Sequence, residues 1–404
     1  MGGWSEIPGD LVRMIEGKLD LYDKVKCRCV CWSWRLALRN MPHQKQDLHL
    51  LPWLLVPLKS KTEIGSGTSF GFFDPLEKKV HCLQLSHPPK DMLFRGSSHG
   101  WVVNLDINNS ICLINPLTGD QVDLPPRTTF PDVANYRPNR PGKEFRMIRA
   151  GKGPRFYTLS KDHIRCYFTQ KVILSSSPES DEGFVAVAIY GESSGLAFCK
   201  RGDDKWSFLD HGIRDDIIFH EQQLYAVAVD GSVMVYDIHS SPRKKMEFVP
   251  KLRDPITSRL YLVHSSVGLI MVHRDIRIQS NIIISILDSN PIEMYKTYGF
   301  EIFKLDATCG EWYEIQSIGD DMLFLGWNSS FSLSCKNLPA YAASANCIYF
   351  TDDHFGQHHQ GIIGGFETGI FNFTHGSIQY LPDYSELSIW PPPVWFMPDL
   401  TKYL

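Results

Sequence analysis

Asp352, Asp353, His354, His358 and His359 are the densest gathering of potential metal ligands in the sequence. Carboxylates and imidazoles that close together hold divalent ions, and a helical His pair four residues apart with a Glu between them also supplies a general base. Gly356 interrupts any helix here and the Glu is missing, so the segment reads as a solvated polar loop. Cys27, Cys29 and Cys31 alternate, but residues two apart on a helix point to different sides and do not grip one ion as paired thiolates do. Gly65, Ser66 and Gly67, and the run from Gly191 to Gly195 with Ser193 and Ser194, lack the strand-turn-helix setting that exposes a nucleophilic serine, and read as turns. No glycine-rich phosphate cradle occurs. The basic groups Arg243, Lys244, Lys245 and Arg137, Arg140 are short, and only Tyr136 beside the latter offers a base something to stack on, so nucleic acid is not expected as a partner. No catalytic residue, metal or cofactor is expected.

The elements around these residues are those of a chain with a sizeable core. Its 404 residues are 43% hydrophobic, and 41 basic against 45 acidic side chains leave a formal charge of -4. That balance gives no global field for nucleic acid or an anionic membrane surface. The greasiest run, residues 48–58, is broken by His49, Pro52 and Pro57, short of the roughly 18 apolar residues that a spanning helix needs. The first residues show no basic and apolar leader, and Glu6 stands where an acylation signal needs Ser or Thr. With ten cysteines, reduced thiols in the cytoplasm or nucleus are the expectation.

Near the start, Ile7, Leu11, Met14, Ile15 and Leu19 share one face at helical spacing, with Pro8 suited to the first turn. Asp20 is placed to cap a second helix carrying Leu21, Val25 and Cys29, and a third begins near Cys31 with Trp32, Trp34, Leu36 and Leu38. Three short helices bury little surface between them and need a partner or a neighbouring domain. The order Ile7, Pro8, Asp10, Leu11, Ile15, followed by Cys27, Arg28, Cys29, Val30, Cys31, Trp34 and Arg35, resembles the F-box. Departures are Ile7 for the usual Leu, Lys18 before Leu19, and no Pro in the turn from Leu19 to Asp23. The resemblance implies docking on a Skp-type adaptor and, through it, on a cullin scaffold. Ile7, Pro8, Leu11, Ile15, Leu19, Val30 and Trp34 would form the docking surface or its support. Spacing alone also allows these side chains to be the core of a helical cap on the following domain.

Beyond an F-box over 1–45 and a linker over 46–60, the pattern over 61–404 changes to short strands joined by turns. The run from Gly100 to Leu124 reads as a meander, with turns at 106–109 and 116–119. Similar hairpins recur around 70–83, 224–236, 301–315 and 370–381. Repeats of this kind with no long helix between them predict a mainly β chain, a degenerate kelch-like β-propeller of about seven blades at roughly 45–50 residues per blade. A pair of β-sandwiches is the alternative. Gly364 and Gly365 are the one kelch-type glycine pair beyond the N-terminus. With the F-box, Gly100, Trp101, Asn115 to Gly119, Leu124 and Pro125, and the ending Trp390, Pro391, Pro392, Pro393, Val394 and Trp395, the chain is similar to plant F-box proteins that carry a kelch-like C-terminal domain. This implies a non-catalytic substrate-recognition subunit of an SCF-type ubiquitin ligase that binds a protein substrate. The alternative is a propeller scaffold or enzyme that acts apart from the ligase. Segments 136–142, 175–182, 240–245 and 351–359 read as loops leaving the β domain, where specificity commonly resides. Residues 390–398 are expected to close the ring rather than to serve as a proline-rich ligand, because so many large apolar side chains would not stay in water.

Overall fold

The computed structural model describes residues 3–19, 23, 27, 30–39, 52–58, 69–75, 79–82, 92–149, 155–238, 243–248, 258–279, 294–306, 308–338, 345–353, 367–381 and 392–398. Trp101–Leu105 and Ile111–Ile114 are buried at every position, as is Val185–Tyr190. Such runs mark strands covered on both faces, which happens when sheets stand face to face around an axis. Among the described residues, six sheets of four or five strands form such a round.

Blade 1 joins Val394–Phe396 to Trp53–Leu58, Ser69–Asp74 and Lys79–Cys82. Blade 2 is the meander Phe94–Ser98, Trp101–Leu105, Ile111–Ile114 and Gln121–Leu124. Blade 3 runs Thr169–Leu174, Val185–Tyr190, Gly195–Lys200 and Ser207–Asp210. Blade 4 runs Arg214–His220, Gln223–Ala228, Val233–Asp237 and Arg243–Phe248. Blade 5 runs Ser258–Ser265, Gly268–Gln279, Met294–Asp306 and Glu311–Ile315. Blade 6 has five strands, from Phe331–Ser334 inside through Asp321–Leu325, Cys347–Phe350 and Gly369–Asn372 to Ser377–Tyr380, with the second and third parallel.

The core lies between the blades. Val263, Val272 and Ile302 of blade 5 meet Leu323, Ile348 and Phe350 of blade 6, and Met322 and Phe324 of blade 6 meet Leu54, Val56 and Trp395 of blade 1. The turns follow local chemistry: Gly231 takes φ +83 and the Asp230 carboxylate accepts from both the N–H and the hydroxyl of Ser232, an Asx-type turn between two strands.

Seven sheets occur among the described residues, but the seventh, with Val133–Tyr136, Phe145–Arg149 and Arg155–Leu159, has three strands. The first strands of blades 2 and 3 pack directly on each other, so this small sheet stands outside the round rather than in it. The segment expected as a linker over 46–60 contains the strand Trp53–Leu58, paired on both sides, because Trp53, Leu54, Leu55 and Val56 are apolar enough to be buried in blade 1. Val394–Phe396 is fully buried against that strand, and Trp390 and Pro391 lie outside the described residues. Gly364 and Gly365 also lie outside them.

At the N-terminus, α1 (Gly9–Glu16) packs on α2 (Trp32–Arg39). Of the expected helix between them, only Asp23 and Cys27 are described, both helical.

Candidate functional site

The helical pair closes around Val12, Cys27, Trp34 and Leu38, with Ile7, Leu19, Cys31 and Ala37 partly covered. Gly9 permits the close approach, since a Cβ there would stand 3.2 Å from the Ala37 Cβ. Arg13 donates to the Ala37 carbonyl at 3.0 Å and forms an exposed ion pair with Asp10. The Trp34 indole N–H donates to the Trp4 carbonyl at 2.7 Å, and the Ser33 hydroxyl to the Ser5 carbonyl at 2.8 Å.

With Val12 and Glu16 turned inward, the opposite stripe of α1 faces water: Leu11 is 50% exposed, Met14 64% and Ile15 37%. Val30, Trp32 and Leu36 add exposed apolar surface, the last two one helical turn apart on α2. Of the residues expected to dock a partner, the structure leaves Pro8, Leu11, Ile15 and Val30 exposed and Ile7 and Leu19 half-buried, while Trp34 at 4% is a support beneath the surface. Sequence reasoning passed over Met14, Trp32 and Leu36 as surface groups, although the four-residue step from Trp32 to Leu36 was there to be read.

The axis of the blades is filled by charge. Lys171 on the first strand of blade 3 is ion-paired to Asp216 of blade 4, with both side chains buried, and also donates to the Gly326 carbonyl at 3.3 Å. Asp216 further accepts from the Ser330 hydroxyl at 3.0 Å and the Leu262 N–H at 3.1 Å. Burial pulls the Lys171 ammonium below its ordinary value, and Asp216 pulls it back up. Arg259 stands 3.7 Å from Asp353, and its guanidinium lies 5.7 Å from the Trp327 ring, whose centre is 4.6 Å from that of Arg95. Farther from the axis, between blades 5 and 6, Arg274 on the second strand of blade 5 reaches Asp353 at 3.2 Å, the Thr351 carbonyl at 2.8 Å and Glu367 at 3.3 Å. Burial alone would lower the Arg274 value, but Tyr261, Asp353, Glu367 and Asp352 outweigh it and hold the cation.

This network corrects the sequence reading of Asp352 and Asp353, which are buried rather than part of a solvated loop. Asp352 accepts from the Tyr295 hydroxyl, and Asp353 from that of Tyr261 at 2.8 Å. His354, His358 and His359 lie outside the described residues. Among the described residues, no three His, Cys, Asp or Glu side chains are placed to hold a metal ion.

Above this belt, where the inner strands of blades 2 to 5 end, a cavity of about 1150 Å³ opens, reached by Ser98, Leu174, His220, His264, Ser332 and Met397 from all six blades. His220 and His264 stack with centroids 3.9 Å apart. Burial, then the neighbouring imidazole, lowers the His220 pKa. Glu221 and Gln222, which turn the chain at the rim, both take positive φ, 45 and 61, a conformation that costs side-chain-bearing residues on the order of 1 kcal/mol each.

A family model described as KIB1-4 beta-propeller matches residues 72–372, and one described as F-box domain matches residues 4–45. The Arabidopsis thaliana F-box protein SKIP23 is 24% identical, over 98% of this chain and 96% of its own length. The putative F-box protein At5g60060 of the same plant is 26% identical over 91% and 92%, and F-box protein At2g17036 24% over 98% and 95%.

Proposed function

The chain belongs to the KIB1-4 beta-propeller family and carries an F-box at its N-terminus, and we propose that it is a substrate-receiving subunit of an SCF-type ubiquitin ligase. The helical pair docks on a Skp-type adaptor, which connects it to a cullin scaffold, and the propeller holds the protein to be ubiquitinated. One observation carries this reading: a folded helical pair leaves Leu11, Met14 and Ile15 in water on one side, in the segment that matches the F-box. Apolar anchors at helical spacing on an exposed face are what a partner's groove takes up. The competing helical-cap reading requires the same side chains to be covered by the chain itself, and their exposure speaks against it. The propeller serves as receptor rather than catalyst in this reading. Its buried carboxylates are engaged by Lys171, Arg274 and backbone N–H groups, which suits a locked scaffold.

Co-purification with a Skp-type adaptor tests the docking. Leu11→Asp or Ile15→Asp would bury a carboxylate with no partner at the interface, at several kcal/mol, so adaptor affinity should fall by about a hundredfold or more. The circular dichroism spectrum should stay unchanged, since both positions are exposed in the free chain. Full adaptor affinity in both variants would sink the assignment.

A further inference from the structure

Residues 133–161 contain eight Lys or Arg and one Glu, in a chain whose formal charge is -4. Val133–Tyr136, Phe145–Arg149 and Arg155–Leu159 build the small sheet outside the ring of blades, and basic side chains stand at both ends of it. Arg140 and Lys143 sit exposed in the turn between Val133–Tyr136 and Phe145–Arg149. At the far end Arg155 stands directly opposite Arg149. Between them Arg146 lies over the ring of Phe156 at 3.8 Å, and Phe156 is itself 48% exposed.

Alternation sends Phe145, Met147, Tyr157 and Leu159 to the core between blades 2 and 3, so Arg146, Phe156 and Thr158 fall on the outer face. Arg149 has a carboxylate partner, Glu192 at 3.2 Å. For Arg140, Lys143, Arg146 and Arg155 the described residues show none. The sheet order also leaves Arg155–Leu159 at an edge, with no strand among the described residues beside it.

We propose that this sheet docks an acidic, extended segment of the protein substrate, which pairs through its backbone with the edge of Arg155–Leu159 and through its carboxylates with Arg140, Lys143 and Arg146. The proposal rests on the receptor reading and names the chemistry of what the receptor holds. Edge pairing selects a peptide over a nucleic acid, because a row of alternating N–H and C=O groups is matched by another backbone and not by a sugar-phosphate chain. The one aromatic on this outer face, Phe156, already has a guanidinium over its ring, which leaves less of it for a base to stack on.

Fluorescence anisotropy on the full-length chain tests this with four labelled probes. They are a short peptide of alternating Glu and Val, the same peptide with Gln for Glu, the same with Pro for Val, and oligo-dT. The Glu-Val peptide should bind at low salt, and the Gln and Pro versions should bind about tenfold more weakly or worse. Arg140→Glu with Lys143→Glu, in an exposed turn, should weaken the Glu-Val peptide by a similar factor, and so should Arg146→Glu. Equal binding of the Glu and Gln peptides, equal binding of the Pro peptide, or binding of oligo-dT alone each overturns the proposal. Adaptor co-purification, measured on the same protein, separates the two readings. If the adaptor binds and no peptide does, the receptor reading stands and this one falls.

Discussion

Asp215, buried on the first strand of blade 4, has the Leu260 N–H as donor at 3.1 Å, and burial pushes its pKa up to about 6 even though the Arg259 guanidinium works to lower it. An unfolded aspartate titrates near about 3.9. Between those values the folded chain keeps a proton that the unfolded chain has lost. The group's contribution to stability is therefore full below about pH 4 and is lost as pH rises to about 6, by up to about 1.4 kcal/mol per pH unit. Asp215→Asn should flatten that part of the stability curve, read by urea unfolding at stepped pH. An unchanged slope would show that other carboxyls carry it. The buried charges were the part of the molecule least legible in the sequence. Asp353 meets Arg274 from a strand 79 positions away, and nothing local to residues 351–359 announces that partner, so the histidines and glycines around it suggested water. Leu11 and Ile15 were legible because their partners on the helix are three and four residues off.

At the scale of elements, hairpins were legible wherever a turn signal lay between two apolar runs, as at Asp230 and Gly231. Boundaries were not. His49, Pro52 and Pro57 look like linker chemistry, yet Trp53–Leu58 pairs with Ser69–Asp74 and Val394–Phe396: Pro52 only precedes that strand, and Pro57 lies beyond the three residues that pair with Val394–Phe396, where proline is tolerated. The consequence is testable by truncation. A fragment of residues 46–404 should be soluble, melt cooperatively and no longer bind the adaptor. A fragment of residues 61–404 loses Trp53, Leu54, Leu55 and Val56, all buried, and strips the middle from blade 1. It should aggregate, as size-exclusion chromatography would report. Equal behaviour of the two fragments would contradict the pairing. The three-stranded sheet shows the same limit from the other side. Its hairpins have the look of a blade, and only the direct packing of Phe94–Ser98 on Thr169–Leu174 places it outside the ring.

For the whole molecule, closure depends on three residues near the C-terminal end. A ring of sheets is stable only if its first and last parts are joined, since each blade otherwise leaves an apolar face in water. Val394–Phe396 makes that join by completing the blade that begins with Trp53–Leu58. Phe396 packs on Phe72 of the same blade with centroids 5.4 Å apart. Trp395 is fully buried and meets Phe324 and Tyr349 of blade 6 edge-on at 5.2 and 5.8 Å. Its carbonyl accepts the hydroxyl of Ser97 in blade 2. One residue thus touches three consecutive blades, so its removal should loosen the ring as a unit rather than one hairpin. Trp395→Ala should lower unfolding stability by about 3–5 kcal/mol. In a single cooperative transition that appears as a lower urea midpoint with an unchanged slope. Truncation at Ser388 removes the strand altogether, exposes the edge of Trp53–Leu58, and should yield little soluble protein. A truncated chain that melts like the intact one and loses only a binding partner would make the proline-flanked segment a ligand, and the join would have to be sought elsewhere in the ring.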